Sequence, residues 1–391
     1  MPNYSGKWNL AGQLQGIKQG TWPGFIVSAE LYSWGQNNDG QLGHNDQGVN
    51  KSSPIQVGSE EKAWQVRSLS GSISLYAVKT DGTLWAAGDN GNGRLGLNDE
   101  INRSSPVQVG SETHWSKVSQ GNNGGTWTLA LTTDGKLYAW GRNDYGNLGD
   151  GTVVYRSSPV QIGSDTDWSD IAAGAYGSVA VKTDGTIWSW GREFRGTLGH
   201  NDNDLIHRSS PTQIGALTNW SSVGSGGFVV HAIKTDGTLW GWGGSTTGSI
   251  GDNTIIRRSS PVQIGTDTDW LSVISGENQA VGVKTTGYIY SWGSGANGEL
   301  GHNDTVFRSS PTQIGLLNNW SKGICGGNGY MAGLKNNGTL WTWGNWGNGV
   351  LGQNDNIYKS SPVQVGSLQT WSDATMTRYG MIAAVLDVVG E

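Results

Sequence analysis

His231-Ala-Ile-Lys-Thr-Asp236-Gly237-Thr-Leu-Trp240-Gly-Trp242-Gly243 is two alternating runs joined by an Asp-Gly pair. Alternation with period two puts successive side chains on opposite faces of a strand, and Asp-Gly between two such runs is the strongest short hairpin signal. The stretch reads as two antiparallel strands joined by a type I′ turn, in which both central residues take positive φ. The pattern recurs at Asp81-Gly82, Asp134-Gly135 and Asp184-Gly185, and in weaker form at Thr286-Gly287 and Asn337-Gly338.

Reading outward, each hairpin is followed by a G-x-[LI]-G corner, from Gly40–Gly43 to Gly349–Gly352, and then by the tetrapeptide [KR]SSP. The tetrapeptide prolines are Pro54, Pro106, Pro159, Pro211, Pro261, Pro311 and Pro362, spaced 52, 53, 52, 50, 50 and 51 residues apart. A tryptophan follows each after nine or ten residues: Trp64, Trp115, Trp168, Trp220, Trp270, Trp320 and Trp371. A fixed period near fifty residues marks a propeller or another repeat array. About four short strands and no helix fit in each unit. The 64 glycines supply the turns, and the 21 tryptophans supply large faces to fill the space between sheets.

The last copy stops after Met381-Ile-Ala-Ala-Val-Leu386-Asp387, where a hairpin turn is due. Its missing half stands at the other end, as Leu31-Tyr32-Ser33-Trp34-Gly35. The two chain ends are therefore expected to complete one blade together, which removes two open sheet edges. The expected architecture is all-β: a seven-bladed propeller over residues 31–391, preceded by a short arm over residues 1–30.

The unit G-x-x-x-x-A-x-K-x-D-G-x-L-x-x-W-G, then G-x-L-G, then P-x-x-[IV], resembles the regulator of chromosome condensation repeat, a family of seven-bladed propellers. The resemblance covers residues 31–391. Two departures stand out: Ala87-Gly88 replaces Trp-Gly in the second copy, and Thr286 replaces Asp in the sixth. The family includes a chromatin-bound guanine-nucleotide exchange factor, a plant ultraviolet-B photoreceptor and a secreted bacterial β-lactamase inhibitor, so fold alone does not give function.

Charge argues against nucleic acid. The chain has 25 Lys and Arg against 31 Asp and Glu, a net charge of −6, and no basic tail. The basic residue before each SSP reads as a structural pair or a solvated rim. The photoreceptor's Gly-Trp-Arg-His-Thr signature is absent, and tryptophans at one place in every copy are a packing solution. His44, His200 and His302 share one repeat position, so they lie on different blades and do not converge on a metal. The adjoining Asn-Asp pairs, such as Asn45-Asp46 and Asn303-Asp304, read as turn formers. Cys325 has no base beside it and reads as a small buried thiol. No G-x-S-x-G, H-E-x-x-H or P-loop occurs. The expectation is a protein without catalytic activity, cofactor or metal.

Function is then sought where the copies differ. One variable set follows the first strand of each unit and carries aromatics: Tyr76, Trp127, Tyr176, Phe228, Tyr330 and Tyr379. Equivalent loops project from one face, so these six residues are the expected partner-binding ring; aromatics dominate binding hot spots. In the inhibitor relative, aromatics on one propeller face grip the partner, and the resemblance implies the same use here. A second set follows Trp-Gly: Arg142-Asn-Asp-Tyr145, Arg192-Glu-Phe-Arg195 and Asn345-Trp346. A third precedes SSP, at Val153-Val-Tyr155, Leu205-Ile-His207, Val306-Phe307 and Ile357-Tyr358. Its apolar tips are expected to fold onto the neighbouring blade or to touch another chain.

Residues 1–30 are not a repeat. Leu10, Leu14 and Ile17 fall on one face of two helical turns, between Trp8 and Trp22. The start lacks the basic region and apolar core of a signal peptide, and no run is long enough to span a membrane. The segment resembles N-terminal segments of tailed-phage structural proteins. Trp8, Leu10, Leu14, Ile17 and Trp22 are its expected docking residues, on the chain's own propeller or on another chain. Two functions are expected: a virion component that self-assembles through the arm and presents the propeller to a protein or glycan, or a soluble inhibitor-like scaffold with one protein partner.

Overall fold

The computed structural model describes residues 28–58, 64–71, 73–121, 126–202, 206–326, 329–345, 347–378 and 380–386. Among them are 28 strands and two single-turn 3-10 helices. The fold is an all-β propeller. In the fourth repeat the strands are Trp220–Ser225, Val229–Lys234, Leu239–Gly243 and Arg258–Ile264, each antiparallel to the next. The strand that opens with the repeated tryptophan is innermost. Trp64–Gly71, Trp115–Gln120, Trp168–Ala173, Trp220–Ser225, Trp270–Ser275, Trp320–Cys325 and Trp371–Met376 each contact the next, and the last contacts the first.

The hairpins form where expected, but not with type I′ turns. In the second repeat Gly82 N–H donates to Lys79 O and Lys79 N–H donates to Thr83 O, both at 2.9 Å. Only Gly82 takes positive φ, at 80°; the aspartates of these turns do not. This is a three-residue loop, a type I turn closed by a left-handed glycine bulge. Asp81 earns its place by accepting Thr83 N–H at 2.9 Å and Thr83 Oγ1 at 2.6 Å, and that hydroxyl accepts Trp85 Nε1–H at 2.8 Å. The lysine before the turn lies over the indole after it, Lys234 on Trp240 at 3.7 Å.

Six sheets are present where seven were expected. Five have four strands. The sixth has eight, because Ser28↔Gln65 and Ala29↔Trp64 join the strands around Ser28–Gly35 to those of the second repeat. Within it the chain ends pair as expected: Ser28–Gly35 runs antiparallel to Gly380–Leu386, from Ala29↔Leu386 to Gly35↔Gly380. The strand begins at Ser28, three residues before the expected boundary at 31.

The G-x-[LI]-G corner clamps successive repeats. A Cβ on its first glycine would meet the next repeat's first SSP serine, as Gly146 would meet Ser209 Cα at 2.4 Å. Beyond the corner, a residue in left-handed backbone donates its N–H to the same serine's carbonyl. Asn45, Asn98, Gly151, Asn201, Asn253, Asn303 and Asn354 do so to Ser104, Ser157, Ser209, Ser259, Ser309, Ser360 and Ser52, at 2.6 to 2.9 Å. Six of these residues are asparagines, which tolerate that conformation best after glycine. The basic residue of [KR]SSP is a structural pair: Asp304 holds Arg308 at 2.8 Å and Asp355 holds Lys359 at 2.7 Å.

The Trp-Gly tryptophans lock the same interfaces. Trp34, Trp140, Trp190, Trp242, Trp292 and Trp343 are fully buried, and each donates Nε1–H to a corner carbonyl of the preceding repeat at 2.7 to 3.1 Å. Their indoles pack against the innermost-strand tryptophans, with Trp140 and Trp115 centroids 6.1 Å apart.

Candidate functional site

The loop after each innermost strand and the loop after each Trp-Gly strand leave the sheets at the same end, so they share one face of the propeller. Between the third and fourth sheets this face gathers aromatic and basic side chains. Tyr176 lies 4.5 Å from Phe194 and 5.5 Å from Phe228, and Phe194 lies 6.0 Å from Phe228, centroid to centroid. All three rings are half-buried. The Arg192 guanidinium sits 4.6 Å from the Tyr145 ring, 5.2 Å from Phe194 and 5.4 Å from Tyr176. Arg195 caps Phe194 and Phe228, each at 5.3 Å. His207 closes the group edge-on to Tyr145 at 4.8 Å.

The backbone that holds this group is specialised. Glu193 stands where Asn90 and Asn143 stand in earlier repeats, and is 1% exposed. Its carboxylate accepts Gly196 N–H at 2.6 Å and Leu198 N–H at 3.1 Å, and its own N–H donates to His207 Nδ1 at 3.1 Å. With Glu193 turned inward, Arg192 and Phe194 are left on the surface. Arg195 takes φ of 59°; every other described non-glycine residue with positive φ is an asparagine. That conformation costs an arginine about 1 kcal/mol. It directs the guanidinium across Phe194 and Phe228. Burial, and then Arg192, hold the His207 imidazole below its ordinary range. No carboxylate pairs with Arg192 among the described residues, and its guanidinium lies against three ring faces.

Of the expected ring, Tyr176 and Phe228 belong to this cluster. Tyr76, Trp127 and Tyr330 do not: they are 0%, 3% and 1% exposed. Tyr76 donates its hydroxyl to Arg94 O and accepts from Thr128 Oγ1 at 3.0 Å. Trp127 Nε1–H donates to Ser178 Oγ at 2.9 Å, and the Tyr330 hydroxyl donates to Thr377 O at 2.6 Å. These three fill the interfaces between repeats and offer no face to a partner, which corrects the expectation for them. Tyr379 and the arm residues Trp8, Leu10, Leu14, Ile17 and Trp22 lie outside the described residues. Tyr145, Arg192, Phe194 and Arg195 were visible only as the variable set after Trp-Gly.

The remaining candidates are structural. His44, His200 and His302 each bond the serine of their own Trp-Gly strand: Ser33, Ser189 and Ser291, at 2.9 to 3.0 Å. Burial lowers His200 and His302 to about 4. Cys325 is buried, and burial pushes its thiol up. The apolar tips before SSP do not fold over at Val153, Phe307 and Ile357, which are 60%, 53% and 60% exposed.

Comparison with known proteins agrees with this architecture. The RCC1-like domain matches residues 30–384, and the chain belongs to that family. It is 30% identical over 231 residues to the human E3 ubiquitin-protein ligase HERC2, which covers 57% of this chain and 5% of that protein. It is 31% identical over 227 residues to the ultraviolet-B receptor UVR8 of Arabidopsis thaliana, covering 57% of this chain and 50% of the receptor. The chain thus spans half or less of the length of these relatives. Among solved structures, Prp20p of Saccharomyces cerevisiae, a protein with binding properties to Gsp1p and histones, superposes with a TM-score of 0.81 at 17% identity, over 93% of each chain. Human WBSCR16 superposes with a TM-score of 0.79 at 21% identity, over 93% of this chain and 100% of that one. At these identities the likeness is one of fold.

Proposed function

We propose that this chain is a non-catalytic interaction module that takes an acidic segment of a protein partner on the face formed by Tyr176, Phe194 and Phe228. The observation that carries the reading is Arg192, which touches three aromatic rings and no carboxylate among the described residues. Half-buried aromatics with arginine between them are the composition of binding hot spots. An arginine over rings is less hydrated than a free one and pairs strongly with an arriving carboxylate. Family relatives that bind proteins, as Prp20p binds Gsp1p and histones, support the same class of role. The virion reading rests on residues 1–30 alone, and no feature of the described propeller favours it.

The same reading counts seven blades. The eight-stranded sheet divides into two four-stranded halves joined by two residue pairs, and the serine clasps run through seven repeats back to Ser52.

The test is selection of a random displayed peptide library on the full chain, then titration of the selected peptides into purified variants. Arg192→Ala and Phe194→Ala are each expected to weaken binding by about tenfold or more, or about 1.4 kcal/mol, with thermal stability kept. Selected peptides that bind both variants as tightly as the parent chain place the site elsewhere.

A further inference from the structure

Each repeat carries a short loop tip just before its SSP strand. In three tips the last residue turns inward and accepts a backbone N–H of its own loop. Asn50 Oδ1 accepts from Asn37 at 3.1 Å, Asn102 Oδ1 from Asn90 at 2.8 Å, and His207 Nδ1 from Glu193 at 3.1 Å. The tip before Arg156 departs from this pattern. Its last residue is Tyr155, whose hydroxyl donates to the Asp144 carboxylate. Val153, Val154 and Tyr155 are exposed by 60%, 54% and 40%. Among the described residues no other tip has three exposed large apolar side chains in a row. An exposed apolar patch rimmed by polar groups marks an interaction site.

This tip stands beside the cluster around Arg192. Tyr155 is held by Asp144, Asp144 precedes Tyr145, and the Tyr145 ring lies 4.6 Å from the Arg192 guanidinium. Two departures from the repeat, the apolar tip and the arginine among rings, therefore fall on one continuous surface. Asp144 also accepts from Arg142 Nε–H, so its charge is matched and does not repel an arriving carboxylate. The hydroxyl bond fixes the Tyr155 ring while much of the residue stays exposed. An aromatic fixed in advance loses little entropy on binding. At about 3.3 Å per residue, a short extended segment reaches from Arg192 to Tyr155.

We propose that Val153, Val154 and Tyr155 form a second subsite of this surface, which takes a large apolar side chain from the segment whose acidic residue pairs with Arg192. The inference rests on the reading of Arg192 given above and goes further, because it sets a second requirement on the partner. The ligand is an extended peptide that carries an acidic residue and, within about five positions of it, a leucine, isoleucine or phenylalanine. Charge admits the segment at Arg192, and the tip selects among acidic segments by their apolar neighbour.

The test uses the full chain and the peptides selected on it from the displayed library. Their sequences are expected to share an acidic and a large apolar residue at a fixed spacing. Val153→Ser combined with Val154→Ser, and separately Tyr155→Ala, are each expected to weaken these peptides about tenfold, with Tm kept. The valine pair carries no charge and leaves Asp144 untouched, so its effect reports apolar contact alone. Replacing the apolar residue of the peptide by serine is expected to cost the parent chain about as much, and the tip variants nothing further, since both changes remove one contact. Val306→Ser combined with Phe307→Ser, at the corresponding tip of another repeat, is expected to change nothing. If Arg192→Ala weakens binding and the tip variants do not, the subsite is overturned while the acidic contact stands. If the Val306 and Phe307 variant weakens binding as much as the Val153 and Val154 variant, the subsite is overturned as well. If neither Arg192→Ala nor the tip variants weaken binding, both readings fall.

Discussion

Asn354 and Ser52 are 302 positions apart and joined twice: Asn354 N–H donates to Ser52 O at 2.9 Å, and Ser52 Oγ donates to Asn354 Oδ1 at 3.1 Å. This pair closes the ring of serine clasps, so the last complete corner is held by the first SSP.

The closure depends on Gly349, whose φ is 74° and whose added Cβ would meet Ser52 Cα at 2.7 Å. Gly48 has a similar φ of 77° with nothing within 4 Å. Gly48→Ala is expected to cost about 1 kcal/mol from backbone strain alone. Gly349→Ala adds a backbone clash and is expected to cost about 2 to 4 kcal/mol. Urea denaturation of the two variants checks the difference.

Acid should weaken the fold before the carboxylates protonate. His231 is fully buried, with Nδ1 against Ser275 Oγ at 2.8 Å and Nε2 against Ile250 O at 3.0 Å, and burial lowers it to about 4. A lowered histidine pKa means that the folded state resists protonation. Stability is then full above the unfolded value near 6.5 and falls as pH drops toward 4. For His231 the loss is about 3 kcal/mol across that window. His200 and His302 act in the same direction. Thermal melts from pH 7 to pH 4.5 should show Tm falling, and His231→Gln should flatten the slope.

Tyr330 and Phe194 separate packing from binding. Tyr330→Phe leaves Thr377 O and Gly380 O without their hydroxyl donor, and is expected to cost about 1 to 3 kcal/mol. Peptide affinity should not change. Phe194→Ala should do the reverse. Denaturation and titration on the same two proteins check both.

Cys325 should be inert in the folded chain. It is 5% exposed, and burial raises its thiol, so little thiolate forms at neutral pH. Iodoacetamide is expected to modify it only after denaturant is added, as mass spectrometry would show.

The repeat, its strands and the pairing of the two chain ends were legible because alternation, turn residues and period all repeat in register. The turn type was not. Asp-Gly suits both a two-residue type I′ loop and the three-residue loop that forms, and the choice depends on Lys79 pairing with Thr83. The surface placement of the six aromatics was legible in part, for a reason of register. Tyr176 and Phe228 end just before strands Gly177–Lys182 and Val229–Lys234, and remain on the surface. Trp127 and Tyr330 are the first residues of their strands, and Tyr76 is the third of Ser74–Lys79, so their side chains go inward. One or two residues decide this, and spacing between repeats does not resolve it. Arg192 and Phe194 were visible as departures among copies, but their meeting with Tyr176 required the shared face of two adjacent loops.

The most direct test of the central claim is a hydrogen-exchange footprint of the full chain with and without a selected acidic peptide. Protection is expected at residues 174–177, 192–196 and 226–228, on the face that carries Arg192. Protection confined to the opposite face, at the turns around Asp184-Gly185 and Asp236-Gly237, would contradict the assignment of the binding site.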